Sequence, residues 1–147
     1  MLSLSLHLLS NTKFMYKIEH IGIAVKNIDE ATLLYAKLFN RDAYKTEIVE
    51  SEAVSTVFFQ NGESKIELLA ANNETSAIAK FIDKKGEGMH HIAFAVDDIY
   101  KEVERLKSEG FLAISEAPKK GADNKLVFFF HPKSTNGVLV ELCQEIK

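Results

Sequence analysis

The chain has 147 residues, of which 46% are hydrophobic and 27% charged, enough apolar material for one or two cores and too much for a disordered segment. A net charge of −3 and a pI near 6.0 supply no basic stripe, which argues against a nucleic-acid partner. The lone cysteine, Cys143, rules out an internal disulfide, fits a reducing, cytoplasmic compartment, and reads as a small buried hydrophobe.

Residues 1–15 hold an apolar run too short to span a membrane, without the basic start or cleavage site of a secretory signal. They are expected to be a leader, disordered or outside the fold, and no membrane partner is expected. The folded part is expected to be a single domain over 16–147. It opens with the strand HIGIAV, whose alternation puts His20 on one face with Gly22 and Ala24, leaving space beside the imidazole. Asn27 followed by Glu30 caps a helix over 28–39, with Ile28, Ala31, Leu34, Tyr35 and Leu38 at helical spacing. Strands follow over 43–50 and 53–60, Asn61-Gly62 turns the chain, and 65–71 returns with Glu67 in KIELLA. A short helix over 76–84, broken by KKGEG, links the halves.

The second half repeats the order. A strand runs over 90–96, a helix over 98–109 ends at Gly110, a short strand lies near Leu112, and strands cover 125–130 and 138–144. The fold expected is α+β, with two tandem β-α-β-β-β modules over about 16–72 and 89–147 joined by a helical linker. His20 and His91 stand 71 positions apart, and Glu67 and Glu141 stand 74 apart. Ile21, Ala24, Val25 and Ile28 recur as Ile92, Ala95, Val96 and Ile99, the mark of an internal duplication.

A single histidine or glutamate in such a strand is usually structural. Four at repeated positions point to a shared divalent metal site, because imidazole and carboxylate together suit zinc, iron, cobalt, nickel or manganese. Glu141, between Val140 and Leu142, would cost several kcal/mol on the order set by desolvation if buried without a partner. His90 is expected on the opposite face from His91, as a packing or surface residue. His131 precedes Pro132 in a turn and is expected to support the loop. No phosphate-binding loop, dinucleotide fingerprint or serine nucleophile elbow is present.

The segments HIGIAV, KIELLA, SAIAKFIDKKGEGMHHIAFAVDDI and HPKSTNGVLVELCQ closely resemble the methylmalonyl-CoA epimerase family of the vicinal oxygen chelate superfamily. The resemblance covers nearly everything from Tyr16 onward. It implies a cupped mixed sheet around a divalent metal, with cobalt foremost and zinc, manganese or nickel as alternatives, and a homodimer. It also implies interconversion of (R)- and (S)-methylmalonyl-CoA by α-proton abstraction through a metal-stabilised enolate. By motif position His20, His91 and Glu141 match the family's metal ligands and Glu67 a fourth, with Glu141 and Glu67 as the catalytic carboxylates. One position departs: where some members carry a base glutamate, this chain has Thr56, so Glu67, or Glu50 or Glu52 from the loop, would take that role. Glyoxalase and extradiol dioxygenase chemistry, or a non-catalytic binding module, are the alternatives on this fold. Lys119, Lys120, Lys125 and Lys133 are candidates for the CoA phosphates by position alone, solvated surface lysines being the plainer reading.

Overall fold

The computed structural model describes residues 16–147, so the expected leader lies outside the described residues. Among the described residues eight strands form one curled mixed sheet: β1 (Lys17–Ala24), β2 (Lys45–Val49), β3 (Val54–Asn61), β4 (Ser64–Ala71), β5 (Gly88–Ala95), β6 (Lys119–Lys120), β7 (Lys125–Phe130) and β8 (Val140–Glu145). Three α-helices within the described residues accompany them: α1 (Ile28–Phe39), α2 (Ala77–Lys85) and α3 (Ile99–Ser108). The strand order β2-β3-β4-β1-β5-β8-β7-β6 is a mirrored pair of four-strand halves. They meet where β1 and β5 pair antiparallel, flanked by β4 and β8, each running parallel to its neighbour. Both halves follow the expected β-α-β-β-β order.

The helices start where polar caps satisfy free backbone N–H groups. Asn27 Oδ1 accepts from Glu30 N at 3.0 Å, Ser76 Oγ from Ile78 N at 3.1 Å, and Asp98 Oδ1 from Lys101 N at 3.1 Å. α3 buries Ile99 and Val103 against Phe128, Phe130 and Leu142. α1 lays Ile28, Ala31, Tyr35 and Phe39 over Val57, Phe59 and Leu68. Leu34 and Leu38, expected on that inner face, instead point outward with Leu33, each more than 60% exposed. With the two long helices packed on one side, the other face of the sheet is left to line a cavity. Among the described residues no helix is long and apolar enough to cross a membrane.

Two departures go beyond a residue or two at the end of an element. Residues 50–52 leave β2 as a 3-10 turn ending at Ala53, whose φ is +52°. The strand expected near Leu112 shrinks to one bridge between Ala113 and Phe130, and the edge of the second half is the two-residue β6. The intervening segment, residues 109–118, is largely irregular and has few ladder bonds to offer.

Candidate metal centre

The β1–β5 ladder skips a residue twice. Ile18 pairs with Phe94 but His20 with Ala93, which leaves Glu19 as an extra residue; Gly22 pairs with His91 but Ile23 with Met89, which leaves His90. Each skip is a β-bulge, and a bulge puts two consecutive side chains opposite one partner residue. Glu19 and His20 are therefore both buried, and His90 and His91 both line the same cavity. The expected outward placement of His90 fails here, because strict alternation assumes an unbroken ladder.

Between the bulges the register builds a near two-fold arrangement. Gly22, two residues after His20, lies between Glu67 on β4 and His91 on β5. Ala93, two residues after His91, lies between Glu141 on β8 and His20 on β1. The space beside His20 is filled by the His91 ring: a methyl group at Gly22 would sit 2.1 Å from His91 Cε1. The two Nε2 atoms approach to 3.0 Å. Glu67 Oε1 lies 3.4 Å from each Nε2, and Glu141 Oε1 lies 3.6 Å from that of His20 and 3.2 Å from that of His91. Bonds of about 2.1 Å to a central ion separate neighbouring ligand atoms by about 3.0 Å at right angles and about 3.4 Å in a tetrahedron. His20, Glu67 and His91 form a trio whose ligand atoms all lie within 4.8 Å of one another, a fit to a divalent ion in size, and Glu141, near both imidazoles, brings the second carboxylate that matches such an ion in charge once both imidazoles are neutral.

Burial opposes a charged His20, but the Glu141 and Glu19 carboxylates outweigh it and push its pKa up to about 10; His91 is raised by the same contest with Glu141 and Glu67. Burial likewise opposes ionisation of Glu141, and hydrogen bonds from His20 and His91 nevertheless hold its carboxyl down to about 2. His90 behaves oppositely: burial first, and then the charge of His91, keep it down to about 4. No buried side-chain nitrogen or oxygen among the described residues lacks a partner.

Residues 19–129 match the Glyoxalase/Bleomycin resistance protein/Dioxygenase superfamily. The chain is 42% identical over 127 residues to the mitochondrial methylmalonyl-CoA epimerase of Dictyostelium discoideum, covering 86% of this chain and 76% of the relative. The chain belongs to the methylmalonyl-CoA epimerase family. Solved structures agree. The Mycobacterium tuberculosis methylmalonyl-CoA epimerase superposes with a TM-score of 0.84 at 32% identity, covering 88% of each chain. A Streptomyces coelicolor methylmalonyl-CoA epimerase variant in complex with 2-nitronate-propionyl-CoA gives 0.85 at 29% identity, covering 91% of this chain and all of the other.

In this epimerase-family chain the four His and Glu side chains sit on the floor of a cavity of about 420 Å³. Its walls are mainly apolar, with Val54, Leu69, Ile78 and Leu139 among them, and each carboxylate has an aromatic cross-strand neighbour: Phe58 beside Glu67 and Phe129 beside Glu141. Thr56 lines the cavity but is buried with its hydroxyl donating to the Glu47 carbonyl at 3.0 Å. Glu52 stands at the rim, paired with Lys119, whereas Glu50 is exposed and outside the lining. Lys119, Lys120 and Lys125 border the cavity; Lys133 does not, and Lys125 is buried with Glu145 at 3.5 Å rather than solvated. His131 caps the following 3-10 turn by accepting from Lys133 N, as its loop role requires.

Sequence reasoning missed two features. One is Glu19, whose carboxylate lies 3.3 Å from His20 Nδ1 and 3.4 Å from Lys65 Nζ. The other is Asp123, which reaches from the second half to Lys65 at 2.9 Å, Lys45 at 3.2 Å and the Tyr44 hydroxyl at 3.0 Å, while its N–H donates to Glu47. This clasp ties the β6–β7 turn of one half to the strands of the other. Its partners are 58 to 79 positions away, so no local signal could have found it.

Proposed function

We propose that the chain interconverts (R)- and (S)-methylmalonyl-CoA, with a divalent ion held by His20, Glu67, His91 and Glu141. The observation that carries this is the convergence of two imidazole Nε2 atoms and two carboxylates on the floor of an apolar cavity in an epimerase-family chain, with His20, Glu67 and His91 at metal-ligand spacing. The CoA thioester bound by the Streptomyces relative supports the substrate class. Epimerisation removes the proton at the carbon between thioester and carboxylate and returns one to the opposite face. When bound, the divalent ion supplies Lewis-acid stabilisation of the negative charge that develops on the substrate oxygens.

Proton transfer needs a base near each face of the α-carbon. The strand order supports one carboxylate for each: Glu67 on β4 and Glu141 on β8 flank the histidine-bearing β1 and β5 from opposite sides. Thr56 has no carboxylate to offer. Glu50 faces away from the cavity, and Glu52 is engaged with Lys119, so Glu67 is the carboxylate we assign with Glu141 to proton transfer. Phe58 and Phe129 place apolar rings beside these carboxylates, which lowers the local dielectric and strengthens the electrostatics of the site. Cobalt is the ion we place first, ahead of zinc, manganese and nickel. Two copies of the chain are proposed to pair, and the outward stripe of Leu33, Leu34 and Leu38 on α1 supports a face for that contact.

The test is interconversion of the two epimers, followed by NMR, before chelation, after chelation and after addition of Co2+. Activity should vanish with the ion and return with it. Full activity in protein shown to be metal-free would exclude the mechanism.

A further inference from the structure

The two bulges put different side chains to the same use. Glu19 and His90 are the inserted residues, each immediately precedes a proposed ligand, and each turns back onto that ligand's Nδ1: Glu19 Oε1 at 3.3 Å from His20, and His90 Nδ1 at 2.9 Å from His91. A bulge leaves a residue out of the ladder and bends the strand. Here two of them, one in each half, aim a polar side chain at the rear of an imidazole whose Nε2 faces the site.

We propose that Glu19 and His90 are positioning residues that fix the Nδ1–H tautomer and ring plane of His20 and His91, leaving both Nε2 lone pairs for the ion. The inference rests on the metal site proposed above. A carboxylate only accepts, so His20 Nδ1 must donate to Glu19 and its Nε2 is left bare. Between two neutral imidazoles one Nδ1 donates and the other accepts, and His91 can offer Nε2 to the ion only as the donor. His90 then carries its own proton on Nε2.

Both supports are themselves held. Lys65 Nζ lies 3.4 Å from Glu19 and 2.9 Å from Asp123, so the carboxylate is anchored from behind. The Phe81 ring on α2 packs edge-on against His90 at 4.8 Å between centroids and 82°. The helix joining the halves thereby supports a ligand of the second half. The ring planes of His20 and His91 stand at 88°, and those of His90 and His91 at 90°, with the facing nitrogens 3.0 Å apart in the first pair and 2.9 Å in the second. The halves differ in consequence: an ionised partner makes His20 the more electron-rich ligand, and a neutral one leaves His91 the weaker.

The test uses the full chain loaded with Co2+ or Zn2+, with affinity measured by chelator competition. Glu19→Ala and His90→Phe should each weaken Co2+ binding about ten- to a hundredfold and shift its visible absorption. Glu19→Gln keeps an oxygen acceptor and His90→Gln supplies one in place of the ring nitrogen, and each should recover part of that loss. In the Zn2+-loaded protein, two exchange-protected imidazole Nδ1–H resonances are expected. Glu19→Ala should remove that of His20, and His90→Phe that of His91. A purely structural role would lower the stability of the metal-free protein and leave affinity, absorption and both resonances unchanged in folded variants. That result would overturn the proposal. Should Glu19→Ala fail to fold, Glu19→Gln decides for that side: a weakened affinity and a displaced resonance support positioning, and unchanged values overturn it. His20→Ala separates the two levels. If it binds Co2+ as tightly as the unmodified chain, the metal site itself is wrong and the positioning roles fall with it; if it loses the ion while Glu19→Ala and His90→Phe do not, only the positioning roles fall.

Discussion

The first half of the sheet cannot accept a methyl group where the second half carries one. Gly22 and Ala93 occupy equivalent positions, each between a carboxylate strand and the histidine of the other half, yet the His91 ring lies over Gly22 and Ala93 is buried with its Cβ in place. The halves diverge elsewhere too. The first ends in a five-residue edge strand and carries a helix with no buried residue; the second ends in a two-residue edge, a clasp at Asp123 and a helix with two buried residues. The duplication has kept the register that gathers four ligand-type side chains and relaxed what surrounds it.

The asymmetry of the two small residues is the sharpest place to press. Gly22→Ala should drive the His91 ring from its place and weaken Co2+ binding by about a hundredfold or more, beyond the usual cost of disturbing a supporting contact. Ala93→Gly should leave affinity nearly unchanged and cost roughly 0.5–1 kcal/mol of stability through chain entropy. Chelator competition and thermal melts separate the two. Equal loss of affinity in both would mean the halves are equivalent after all.

A second contrast concerns the carboxylates. Glu67→Gln keeps an oxygen donor and should retain most of the metal while lowering turnover about 10²- to 10⁴-fold, the scale of one lost base. Glu141→Gln removes the other proposed base and should lower turnover on the same scale. Metal content and rate measured on the same samples distinguish loss of a base from loss of a ligand. Unchanged turnover in Glu67→Gln would return the base role to Glu52 or Glu50.

The clasp should matter less. Asp123→Asn removes the anion shared by Lys45 and Lys65, and about 1 kcal/mol is the expected loss for partly exposed pairs of this kind. Burial works against the Asp123 charge, but Lys65 and Lys45 outweigh it and hold its carboxyl below the ordinary value of 3.8. A depressed carboxyl contributes its stability above that value and loses it as pH falls through the folded pKa. The difference in stability between the two proteins should therefore be constant near neutrality and shrink under acid below pH 3.8. Urea titrations across that range would show it; a difference that grows on acidification would be the wrong sign. The smallest effect is expected on α1. Leu38→Asp should change monomer stability by less than about 0.5 kcal/mol, whereas Val103→Ala in α3 should cost about 1–3 kcal/mol, both read from thermal unfolding.

The sequence made the duplication, the element order and the four converging side chains legible, because apolar alternation and the 71-residue repeat are properties of the chain itself. The bulges at Glu19 and His90 were hidden. Nothing in EHIG or MHHI marks a skipped pairing, and one added residue reverses the face of everything that alternation predicts nearby. The space beside His20 was read correctly, but its occupant comes from the other half. Leu34 and Leu38 misled for a simpler reason: with four consecutive apolar residues, Leu33 to Ala36, in α1, period alone does not say which stripe meets the sheet.

Metal-dependent proton exchange at the α-carbon is the chemistry proposed for this site, and an isotope experiment tests it directly. Co2+-loaded protein is incubated in deuterated water with a single epimer of methylmalonyl-CoA, and the α-position is followed by NMR. Both epimers should appear, with deuterium entering at the α-carbon faster than in an otherwise identical chelated sample. No exchange by protein that carries stoichiometric metal, or equal exchange with and without the ion, would contradict it.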